Sequence, residues 1–201
     1  MKKVTAREFI EQLNADPAWV AAQAAREAAR QGPWALLRQA EQPVIEDLRA
    51  AGYDVETVWD LVNTTADYAD AVPILIRHLG QPYPDKVREG IARALAIRQA
   101  KSVWEQLVRL YRAEAGPTQA KDGLAVAIAV AADDEVIADV IELIRDVGQG
   151  SSRIFFLRAL KRSRDPAADQ TISDLASDPD LAEEIALMRR RQERRKSGPA
   201  R

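Results

Sequence analysis

Along residues 66–178 the apolar positions return in triplets spaced i, i+4, i+7, the interval that lines one face of a helix. Val103, Leu107 and Leu110 are followed 33 positions later by Val136, Val140 and Leu143, and 32 positions after those by Ala168, Ile172 and Leu175. Upstream, Val72, Ile76 and Leu79 lie 31 positions before the first set. A period of this length is that of one helical hairpin, and its recurrence predicts stacked hairpins. No segment alternates apolar and polar positions over the length of a strand, so the pattern predicts an all-α chain.

Local signals divide the rest. Thr5 to Glu8 reads as a capping box before a first helix with Phe9, Ile10 and Leu13 inward. Asp16-Pro17 opens an Ala-rich helix that Gly32-Pro33 should break or kink. Gly52 marks a helix stop. Residues 1–64 do not follow the repeat and form a helical cap or arm; residues 65–180 form the repeats; residues 181–201 form a terminal helix and basic tail.

The first helix of each hairpin repeats too. Gly90-Ile-Ala-Arg-Ala94-Leu95 aligns with Gly123-Leu-Ala-Val-Ala127-Ile128, and Ala159-Leu160 closes the third copy. Small residues recurring there predict close contact between neighbouring hairpins. Pro84-Asp-Lys-Val87-Arg88, the Ala94-Leu95 end and the following Val103, Leu107 and Leu110 together resemble a HEAT repeat. The later copies depart from it: Lys121-Asp122, and then Arg153-Ile154, stand where the first has Val-Arg. The resemblance implies a short right-handed α-solenoid whose second helices line a concave face. Proteins with HEAT-like repeats include scaffolds, DNA glycosylases and bilin lyases, so it implies a binding surface more than any one chemistry.

Composition narrows the classes. Apolar residues are 47% and charged residues 30%, a globular mix, while cysteine is absent. No thiolate metal site is available, and a cytoplasmic location is the expectation. No apolar run approaches the roughly 20 residues of a membrane span. Charge is uneven: residues 117–184 hold 7 basic and 14 acidic groups, and residues 185–201 hold 7 and 1.

Candidate chemistry is thin. His78 is the single histidine, which argues against a metal centre and points to contact with helix-end carbonyls. Asp133-Asp134-Glu135, Asp165 and Asp178 precede helices and read as caps. Gly148-Gln-Gly150 lacks the context of a nucleotide loop, and Ser151 or Ser152 reads as an N-cap. On residues 101–113, removing the buried triplet leaves Lys101, Trp104, Glu105, Val108, Arg109, Tyr111 and Arg112. Lys101, Trp104, Arg109, Tyr111 and Arg112 make a candidate binding surface, and the alternative is that Trp104 and Tyr111 fill the groove between adjacent hairpins with Arg at the rim. Arg189, Arg190, Arg191, Arg194, Arg195 and Lys196 form the basic tail. The expectation is a non-enzymatic module that holds a protein partner on its concave face, without cofactor or metal. Nucleic acid is the alternative partner, and a lyase or regulatory subunit ranks last. No catalytic residue is assigned.

Overall fold

In the computed structural model, which describes residues 15–197, the helical expectation holds: no strand occurs among the described residues. The capping box and first helix read at residues 5–13 lie outside them. The helices are α1 (Pro17–Ala50), α2 (Val58–Asn63), α3 (Val72–Leu79), α4 (Asp85–Ala94), α5 (Trp104–Ala113), α6 (Gln119–Ala131), α7 (Ile137–Arg145), α8 (Leu157–Arg162), α9 (Pro166–Asp174) and α10 (Ala182–Ser197). Tight 3-10 turns cover Ala69–Ala71, Arg98–Val103, Val147–Phe156 and Leu175–Ser177.

The caps follow the chemistry read from the sequence in several places. Asp16 accepts the Ala18 N–H at 2.9 Å, and Asp165 accepts that of Ala167 at 2.8 Å. Thr118 caps α6 by accepting from the Lys121 N–H. Gly52 sits at φ 93 just past α1, a conformation that a side chain would strain. The break expected at Gly32-Pro33 does not occur, and α1 runs through both. Pro33 removes one backbone bond, and Ala-, Arg- and Leu-rich helix formers surround the pair.

Packing divides the chain into two units, through Ala40 and from Glu41 onward. In the first unit Val20, Trp34 and Leu36 are exposed. In the second, α2 packs on α4, α4 on α6, and α6 on the 147–156 turn and α8. Each of these has a companion: α3 packs on α4, α5 on α6, and α9 on α8. Leu124, Ala125, Ala127 and Ile128 of α6 are fully buried at the centre.

Glycine permits the closest approaches. A methyl built at Gly123 would stand 2.9 Å from the Ala92 Cβ and 3.0 Å from the Glu89 carbonyl oxygen. At Gly90, 33 positions earlier, it would meet Trp59 Nε1 at 3.1 Å and Val58 Cγ2 at 3.2 Å. The two glycines that align in sequence thus face the preceding helix in the same manner.

Polar ties repeat at the same interval. Lys86 reaches Gln119, Trp104 reaches Asp139, and Arg162 reaches the Ala129 carbonyl, at separations of 33, 35 and 33 residues. The Asp85 carboxylate accepts from the N–H groups of Gln119 and Ala120, at the first turn of α6. No helix among the described residues is long and apolar enough to cross a membrane.

Candidate functional site

The surface assigned to residues 101–113 is rotated from its expected position. The expected inward set was Val103, Leu107 and Leu110. The buried residues of α5 are instead Trp104, Leu107 and Tyr111. α7 buries Ile137, Val140 and Ile144, the positions 33 residues after Trp104, Leu107 and Tyr111, with no 3-10 turn before it, so the inward face is set by how the second helices pack.

This corrects the expected site. Tyr111 is fully buried, its hydroxyl 2.8 Å from the Ser152 hydroxyl and its ring edge-on to Phe156 at 5.2 Å. Burial pushes the Tyr111 phenol up to about 12. Lys121 Nζ lies 5.3 Å from the ring centre on another side. Trp104 is 8% exposed and donates from Nε1 to Asp139 at 2.7 Å. Neither ring is available for stacking on a ligand.

The cations of that surface are mostly engaged. Lys101 pairs with Asp133 and Glu135, and Arg112 pairs with Glu142 at 3.3 Å. Arg145 pairs likewise with Asp174 at 3.0 Å. The second helices therefore carry Arg–carboxylate ties between neighbouring hairpins, and only Arg109 of the set lacks an ion pair among the described residues. In the basic tail, Arg189, Arg190, Arg191 and Arg194 are exposed, and Arg191 stands 3.9 Å from Glu184. Arg195 and Lys196 belong to α10, but their side chains lie outside the described ones.

Other singled-out residues prove structural. His78 does not reach helix-end carbonyls: its Nδ1 is 2.7 Å from the Tyr83 hydroxyl and its Nε2 is 2.8 Å from Asp47. That contact holds the Asp47 carboxyl below its usual range. Asp133 and Asp134 are cross-ties more than caps. Asp134 accepts from the Ser163 hydroxyl at 2.6 Å and the Arg164 N–H at 3.0 Å. Ser152 is buried, and its hydroxyl donates to the Gln149 carbonyl.

Two concavities not anticipated from the sequence stand out. The first is a groove of about 440 Å³ over α6, the start of α8 and α10. Val126, Val130, Ile154, Phe155, Leu157 and Met188 line it, with Arg158, Lys161 and Glu184 at its rim. Val126 and Val130 are half-buried on the outer side of α6, as are Ile154 and Phe155 beside them. The second is a cavity of about 340 Å³ where three loops meet, bordered by Arg98, Lys101, Arg162 and Arg164 and by Asp133 and Asp134. It joins residues from loops near 98, 133 and 163, which no local motif links.

Among the described residues no group of three or more His, Cys, Asp or Glu is arranged to hold a metal ion. Comparison with family models, with curated proteins and with solved structures finds no match to this chain.

Proposed function

We propose that this protein is a non-enzymatic binding module of HEAT-like, right-handed solenoid type, and that its groove over α6, α8 and α10 holds an amphipathic helix of a protein partner. Support for the solenoid comes from the periodic triplets, the aligned Gly90 and Gly123 contacts, and polar ties spaced by one hairpin.

The groove is the observation that carries the functional reading. Its lining is aliphatic and aromatic, and its size suits the face of one helix presenting anchors at i, i+3 or i+4, and i+7. Arg158 and Lys161 on its rim are exposed and have no ion pair among the described residues, so the matching helix carries acidic residues beside its apolar stripe. The α5 face is a poorer choice. The cavity there is bordered by Arg112 and Glu142 and by Trp104 and Asp139, groups that already satisfy one another. The same pairing argues against a nucleic-acid cleft on that face, since paired cations release few counterions.

The test compares Phe155→Asp with Arg109→Ala in affinity capture at low and high salt, with and without nuclease. Phe155 is half-buried, so its replacement leaves the core intact. The expected result is a stoichiometric protein retained through salt and nuclease by wild type and Arg109→Ala, and lost by Phe155→Asp. Retention by Phe155→Asp with loss in Arg109→Ala sinks the groove.

A further inference from the structure

We infer that the loop cavity bordered by Arg98, Arg162 and Arg164 is a binding site for a small phosphomonoester that also carries hydroxyl groups.

Lys101 is spent on Asp133 and Glu135. Asp133 is spent in return, accepting from Lys101 and from the Glu135 N–H. Arg162 uses one terminal nitrogen for the Ala129 and Ala132 carbonyls, both at 2.8 Å, where α6 ends. This pins its guanidinium at the cavity and leaves its other N–H groups undirected. Arg98 and the Arg164 side chain make no hydrogen bond or ion pair among the described residues. Three guanidinium groups therefore border one cavity with no ion pair of their own among the described residues, and they share it with the Asp134 carboxylate, whose charge Arg164 feels. Burial, with the charges of Arg158 and Arg98 added, holds Arg162 below its ordinary range.

Planar guanidinium forks match a tetrahedral dianion, and several of them around one site favour it over a carboxylate. The rest of the cavity selects the ligand's body. Ala131, Ala132, Ile137 and Ala159 give an apolar wall. Asp134 receives both of its bonds on Oδ1, leaving Oδ2 to accept from a ligand hydroxyl. At about 340 Å³ the cavity is at the small end of small-molecule pockets, too small for a folded surface.

The test is calorimetric titration of the full chain with glycerol phosphate and, separately, inorganic phosphate, at ionic strength held constant with chloride. The variants are Arg98→Gln/Arg164→Gln in the site and Arg109→Gln on α5. Arg98 and Arg164 are exposed, so the double variant keeps the fold, which a melting curve verifies. Arg162 is left in place because it caps α6. The expected result is saturable binding of glycerol phosphate, tighter than that of phosphate, weakened about tenfold or more in the double variant and unchanged in Arg109→Gln. Absence of saturable binding by wild type overturns the assignment, as does equal weakening by Arg109→Gln. A single-stranded oligonucleotide that displaces glycerol phosphate at lower concentration, through the same two arginines, overturns the choice of a small molecule.

Discussion

Replacing Gly123 with Ala separates close helix packing from helix propensity, because the two push in opposite directions. Ala in a helix interior is favoured over Gly by about 1 kcal/mol. At Gly123 the added methyl meets the Ala92 Cβ at 2.9 Å and the Glu89 backbone oxygen at 3.0 Å. Neither is the end of a flexible side chain, so α4 and α6 must separate. Overpacking of this kind costs about 1–3 kcal/mol, leaving a net loss of about 1–2 kcal/mol at the upper part of that range. For a chain of this size the melting temperature falls by about 2–8 °C. The same change at Gly90 meets side chains, Trp59 Nε1 at 3.1 Å and Val58 Cγ2 at 3.2 Å, and the half-buried Trp59 ring can give. There the two effects cancel to within about 0.5 kcal/mol. Urea unfolding of both variants is the assay. A Gly123→Ala protein more stable than wild type by about 1 kcal/mol would mean that α4 and α6 do not approach as described.

Other changes test single contacts. Arg153 is buried and holds Asp178 and Asp180 at 3.0 and 2.9 Å; Arg153→Met strands the Asp178 carboxylate and costs about 3 kcal/mol at neutral pH by urea unfolding. The Arg153 hydrogen bond keeps the Asp178 carboxyl below its usual range, so that stability is present above about pH 4 and fades as pH falls below it, and the gap between variant and wild type narrows in acid. The Tyr111 phenol, pushed up to about 12, contributes stability below about pH 10 that is lost as pH rises through about 12. Tyr111→Phe therefore costs about 1 kcal/mol at neutral pH, for the bond to Ser152, and flattens the alkaline limb of the stability curve. Arg112→Ala, which loses an exposed pair with Glu142, changes stability by less than about 0.5 kcal/mol.

The helices were legible because their apolar periodicity is strong, and so was the kinship of Gly90 and Gly123, which share a contact as well as an alignment. The phase of α5 was not. Its inward face is set by packing against α6 and against Phe156, which puts Trp104 and Tyr111 in the core, and the spacing within residues 101–113 does not distinguish that face from the one read there. Charges misled for a related reason. Lys101 and Arg112 look free in the sequence, yet their carboxylates lie 32 and 30 residues away, one hairpin further on. The groove and the loop cavity draw on three elements each, and tertiary convergence of that sort leaves no local mark.

Site-specific photocrosslinking tests the central functional claim most directly. A photoreactive residue at Lys161, on the rim of the groove, is compared with one at Arg109 on α5. A single crosslinked protein is expected from position 161, joined through a segment with an apolar helical stripe flanked by acidic residues, and none from position 109. The same protein crosslinked from position 109 and not from 161 contradicts that claim.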